Sequence, residues 1–120
     1  MYLLNRAGRI EDGPGTRFLY RNPMASRLSD IEIQRALSER AGWTRRGNAL
    51  VRTCEFPTFP AAIAFVNRIA DVSEKMDHHP DVDIRYTKVT CSLSTHSAGG
   101  ITQRDFKLAE AIDDLVTGDS

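Results

Sequence analysis

Residues 58–80 read TFPAAIAFVNRIADVSEKMDHHP: one helix and its abrupt end. Thr58 is a natural N-cap, and Pro60 is tolerated in the first turn. Ala62, Ile63, Val66, Ile69, Ala70 and Met76 recur at helical spacing and predict a buried stripe. Pro80 prevents clean continuation. Just before it stand His78 and His79, two of the three histidines in the chain. Glu74 and His78 are four residues apart, so the spacing predicts that they share a helix face while His79 turns away.

Toward the N-terminus, Ser29 and Glu32 have capping-box spacing, and Leu28 and Ile33 can staple across it. Ile33, Ala36, Leu37 and Ala41 then share one face of a first helix, which Gly42 should stop. Trp43 opens a strand, Arg46-Gly47-Asn48 makes a turn, and residues 49–56 read as a second strand, with Leu50, Cys54 and Phe56 alternating. Toward the C-terminus, residues 81–83 read as a loop and Ile84 begins further strand. There Val89, Cys91 and Leu93 alternate with Lys88, Thr90, Ser92 and Ser94, and the run leads to His96. Residues 97–100 form a turn. Thr102 caps a third helix with Asp105 at the capping-box position, Ile101 and Phe106 as the staple, and Leu108, Ala109, Ile112, Leu115 and Val116 inward.

Strands in pairs with helices between them indicate the α+β class: a small, mainly antiparallel four-stranded sheet with three helices packed on one face. Such a sheet has exposed edges, and pairing of edge strands between subunits would bury them.

A chain of 120 residues is one domain. It can bury roughly two-thirds of its unfolded surface without disulfides or metal. Apolar content of 41% and charged content of 27% are ordinary for a globular protein, and no apolar run is long enough to span a membrane. The net charge is zero but uneven: residues 1–27 carry +3 and residues 28–120 carry −3. A mildly acidic body argues against direct, phosphate-driven nucleic-acid binding. Cys54 and Cys91 fall in strands and read as small buried thiols of a reducing, cytoplasmic compartment. Residues 1–27 hold Gly8, Gly13, Pro14, Gly15 and Pro23 with no periodicity, and read as a disordered N-terminal extension. Met24 would also make a natural start. The folded domain is expected over 28–117, with 118–120 as a frayed tail.

Histidine exchanges protons near neutrality, and three of them beside Glu74 and Asp77 point first to proton transfer. Adjacent His78 and His79 do not turn easily toward one ion, although a Glu74/His78/His96 metal site stays geometrically open. Ser92, Ser94 and Ser97 lie near His96, but none sits on a nucleophile elbow. Metal-free general acid–base chemistry is the reading these residues favour.

Glu74, three residues, His78-His79-Pro80, five residues, Tyr86, nine residues, His96, eight residues, Asp105: these seven positions resemble the signature of the pterin-4a-carbinolamine dehydratases, also called 4a-hydroxytetrahydrobiopterin dehydratases. Leu28-Ser29-Asp30, Gly42-Trp43, Phe56 to Phe65, Leu93-Ser94-Thr95-His96 and Gly100-Ile101-Thr102 to Asp105 resemble family segments too, so the resemblance covers roughly residues 28–116. It implies a lyase that dehydrates 4a-hydroxytetrahydrobiopterin to the quinonoid dihydropterin without metal or other cofactor, in support of tetrahydrobiopterin recycling. It also implies that His78, His79 and His96 are the catalytic and binding histidines, supported by Glu74, Asp77, Arg104 and Asp105. A homodimer or homotetramer is expected. Some family members carry an aromatic two residues after the proline, where this chain has Val82. Animal members also act as a dimerisation cofactor for a homeobox transcription factor. The competing reading is therefore a non-catalytic dimerisation and binding module on the same fold.

Overall fold

The computed structural model describes residues 26–117 together with two short strands, β1 (Leu3–Leu4) and β2 (Ile10–Glu11), which pair antiparallel. Apart from these strands, Ser26 and Arg27, the extension expected over residues 1–27 lies outside the described residues, as does the tail 118–120. The body runs α1 (Asp30–Leu37), β3 (Thr44–Arg46), β4 (Ala49–Glu55), α2 (Phe59–Met76), β5 (Asp81–Arg85), β6 (Lys88–Leu93) and α3 (Gln103–Thr117), with a single 3-10 turn at His96–Ala98. The four later strands form one antiparallel sheet in the order β3-β4-β6-β5. This is the α+β architecture expected. No helix among the described residues is long and apolar enough to cross a membrane.

Register decides which face the helices cover. Leu50 pairs with Leu93, Arg52 with Cys91 and Cys54 with Val89, so these six side chains share one face. Ile33 of α1, Ala62, Phe65 and Ile69 of α2, and Leu108, Ala109 and Ile112 of α3 close over that face in one buried cluster. Each fully buried Leu, Ile or Phe contributes about 1.5–3 kcal/mol by leaving water. Cys54 and Cys91 are buried free thiols, as expected. Burial pushes both thiol pKa values up, that of Cys91 to about 12, so both behave as neutral apolar groups.

Arg52 is the polar exception on the covered face. It reaches Asp113 of α3, which also accepts hydrogen bonds from Trp43 Nε1 at 2.8 Å and Arg40 at 3.1 Å. One half-buried carboxylate thereby ties α3 to β4 and to the turn before β3.

Several local expectations are corrected. The first helix ends at Leu37, before Ala41 and Gly42. Glu39 and Arg40 donate three residues back, and Ser38 Oγ donates to Arg35 O, so the chain tightens and turns early. Residues 81–83 are not a loop but the start of β5. On α2, Ala70 is exposed, while Phe65 and Ser73 are buried. Ser29 and Glu32 do form the capping box, and Thr58 caps α2.

Ser73 Oγ is buried with no hydrogen-bond partner among the described residues. An unsatisfied buried hydroxyl costs about 1–3 kcal/mol. Ser73→Ala is therefore expected to raise stability by about 1–2 kcal/mol, read as a higher midpoint in denaturant unfolding. An unchanged or lower midpoint would show that the hydroxyl is satisfied.

Candidate active site

The site is built where α2 stops. Asp77 adopts the left-handed conformation at φ 52°, which Asp tolerates better than most residues. Its N–H donates to Glu74 O, and the N–H of His78 donates to Ser73 O at 3.1 Å. These are the two bonds of a Schellman closure. The chain has therefore left the helix before His78, and the expected Glu74–His78 face does not form.

The pairing is the reverse. His79 Nε2 lies 2.6 Å from Glu74 Oε2, and His78 Nε2 lies 2.6 Å from Asp105 Oδ1. The two pairs sit in different surroundings. His78 is 8% exposed and Asp105 is 0% exposed, whereas His79 and Glu74 are 54% and 77% exposed. A buried hydrogen-bonded pair lies in a low dielectric and is held hard, while an exposed one is screened and adjustable.

Asp105 is held from two sides. Its Oδ2 accepts from Thr102 N–H at 2.9 Å, the backbone half of the expected capping box, and from Thr95 Oγ1 at 2.9 Å. The same residue thus caps α3 and orients His78.

His96 opens the 3-10 turn and is exposed; its carbonyl accepts from Gly99 N–H, while its ring has no hydrogen-bond partner among the described residues. Arg104 donates from its guanidinium to the carbonyl of Asp77, closing the gap between α3 and the end of α2. The Asp77 side chain is exposed and bonds no histidine among the described residues, so its visible contribution is the backbone turn. Asp77, His78, His79, Ser94, Thr95, His96, Ser97 and Arg104 line one cleft of about 260 Å³. All three histidines meet there. Asp105 stands behind His78, and Glu74 is paired to His79 outside the lining.

A larger hollow of about 570 Å³ lies between the start of α1 and β3. Charged groups pair within it, Arg45 with Asp30 at 2.8 Å and Glu32 with the N–H of Ser29, and Arg27 lines it as well. It holds no histidine, so the smaller cleft is the candidate active site.

Thr95 was missed in the sequence. The period-2 alternation of Val89, Cys91 and Leu93 continues inward to Thr95, which is 2% exposed. A polar residue at the fourth inward position was the available signal.

Comparison with known proteins shows the family of the chain. The sequence model of the family described as Pterin 4 alpha carbinolamine dehydratase matches residues 26–115. A protein of Roseiflexus sp. (strain RS-1), provisionally named pterin-4-alpha-carbinolamine dehydratase, is 55% identical over 93 residues, covering 78% of this chain and all of its own length. A relative in Nocardia farcinica with the same provisional name is 53% identical over 88 residues, covering 73% of this chain and 93% of its own. Among solved structures, a transcriptional coactivator/pterin dehydratase from Brucella melitensis superposes with a TM-score of 0.72 at 34% identity, over 75% of this chain and 98% of that one. A pterin dehydratase-like protein identified as a RuBisCO assembly factor of the alpha-carboxysome shares the fold alone, with a TM-score of 0.53 at 20% identity. This chain belongs to the pterin 4 alpha carbinolamine dehydratase family.

Proposed function

We propose that this protein dehydrates 4a-hydroxytetrahydrobiopterin, or a closely similar 4a-hydroxytetrahydropterin, to the quinonoid dihydropterin and water, and so supports pterin recycling in the cytoplasm. The observation that carries the reading is the convergence of His78, His79 and His96 on one cleft, two of them oriented by carboxylates.

The substrate is a carbinolamine. The N5 lone pair expels the hydroxyl from C4a, so no Lewis acid is required. One proton must reach the departing oxygen, and one must leave N5. His78 and His96 are assigned to these two transfers, and His79, on its exposed carboxylate Glu74, to holding the pterin. Arg104 closes the cleft through Asp77, and Asp105 orients His78. Val82 lies on β5 and is 37% exposed, so it offers no aromatic stacking to the pterin.

Binding of 7,8-dihydrobiopterin tests the substrate class. Side-chain NMR signals of the three histidines are expected to shift on saturation. Shifts confined to the hollow near Arg27 and Arg45 would move the site elsewhere.

The alternative is a non-catalytic binding module. It draws support from the coactivator half of the Brucella protein's name. A module that binds a partner needs none of the oriented histidines. No direct contact with nucleic acid is proposed, given the acidic body.

Self-association is part of the reading. β5 is a sheet edge, and Val82, Ile84, Tyr86 and Phe59 are exposed around it. Antiparallel pairing of β5 with a second copy, centred on Ile84, would set Asp83 opposite Arg85 of that copy in both directions and join the two Ile84 side chains. Ile84→Asp would place two like charges together. The variant is expected to elute as a monomer in size exclusion with light scattering, while the wild type elutes as a dimer or tetramer. Equal masses would rule out this edge.

A further inference from the structure

Three polar groups converge on the buried carboxylate of Asp105. Thr95 Oγ1 donates to Oδ2 at 2.9 Å, Thr102 N–H donates to the same oxygen at 2.9 Å, and His78 Nε2 stands 2.6 Å from Oδ1. Thr95 Oγ1 also lies 2.8 Å from Thr102 Oγ1, which accepts from Arg104 N–H at 3.1 Å.

Counting hydrogens fixes the direction of every bond. A hydroxyl has one hydrogen to give. That of Thr95 goes to Asp105, so in the Thr95–Thr102 contact Thr102 donates. The Thr102 oxygen is supplied in turn by Arg104 N–H. Each hydrogen in the chain therefore points toward Asp105. A carboxylate only accepts, so His78 Nε2 must carry the proton, and in the neutral ring the lone pair lies on Nδ1.

The surroundings say where Nδ1 looks. It has no hydrogen-bond partner among the described residues. It is also not among the buried unpartnered atoms, which in those residues comprise Ser73 Oγ alone. Nδ1 therefore reaches open space, and the open space that His78 lines is the cleft.

We propose that the Asp105 carboxylate locks His78 in the Nε2–H tautomer and so presents Nδ1 as its proton-accepting atom, and that Thr95 and Thr102 are positioning residues that hold the carboxylate in place for this. Neither threonine touches the substrate in this role. Thr95 is 2% exposed and Thr102 is 0% exposed, so bulk water does not replace a lost hydroxyl. The effect on turnover rests on the dehydratase reading above, but the tautomer does not.

The test uses the full chain with ¹⁵N-labelled histidine and two variants, Thr95→Val and Thr95→Ser. In the wild type, the neutral His78 ring is expected to show a protonated Nε2 and a bare Nδ1. Thr95→Val takes one of two donors from Oδ2, so the carboxylate that faces His78 is held less firmly. The ring stays protonated at Nε2, because a carboxylate still only accepts, but kcat should fall about tenfold or more, with KM within about twofold. Thr95→Ser restores the hydroxyl and should restore kcat. A wild-type ring protonated at Nδ1, or a Thr95→Val protein indistinguishable from wild type in kcat, would overturn the proposal. If Thr95→Val does not fold, Thr95→Ala replaces it and the wild-type tautomer still decides. If the wild type fails to accelerate pterin dehydration, the dehydratase reading falls, while the ¹⁵N signals still judge the tautomer.

Discussion

Dehydration by the His78→Ala/His96→Ala protein is expected to fall to near the spontaneous rate. Each positioned acid or base contributes about 10²–10⁴ in rate, and the reaction needs one of each. The two single variants should differ in stability. His96 is exposed and its ring is unpartnered among the described residues, so His96→Ala should leave the unfolding midpoint within about 0.5 kcal/mol of wild type. His78→Ala removes a donor from buried Asp105 and should cost about 1–3 kcal/mol. The losses in rate should not add, because groups that serve one proton transfer act as a unit. His79→Ala is the contrast. If His79 holds the pterin, its loss raises KM more than it lowers kcat. A double variant with wild-type turnover would remove His78 and His96 from the chemistry.

Asp105→Asn should separate the fold from the reaction. With its carbonyl oxygen toward Thr95 and Thr102, Asn keeps both bonds that cap α3. Its NH₂ then faces His78 Nε2, where the carboxylate had accepted. The imidazole can meet an NH₂ only by accepting on Nε2, which moves its proton to Nδ1. The variant is expected to keep its circular dichroism and most of its stability, yet to lose about 10²–10⁴ in kcat. Asp105→Ala differs in kind. It strands three buried donors and should lose about 3–5 kcal/mol of stability as well. If Asp105→Asn turns over normally, Asp105 is a helix cap and nothing more.

The elements were legible where the code is local. The capping box at Ser29, the cap at Thr58 and the inward alternation of Val89, Cys91 and Leu93 are read within a few residues, and each stands as expected. The site residues were legible through their joint spacing, which no single stretch carries. The pairing among them was not. Helical spacing joined Glu74 to His78, but a left-handed Asp77 reverses the chain one residue too soon. Only tertiary structure brings α3 close enough for Asp105, 27 residues away, to take His78 instead. Arg52 was hidden for the same reason, because its partner Asp113 is 61 residues distant. The start of β5, residues 81–83, was hidden because both faces of the strand are exposed, so it has no inward periodicity to read.

The most direct measurement is the wild-type rate of water loss from 4a-hydroxytetrahydropterin generated in place by a hydroxylase, with EDTA present, set against the spontaneous rate. Acceleration of several orders of magnitude that survives EDTA is the expected result. A rate equal to the spontaneous one would contradict dehydration at the histidine cleft and leave a binding module as the better description.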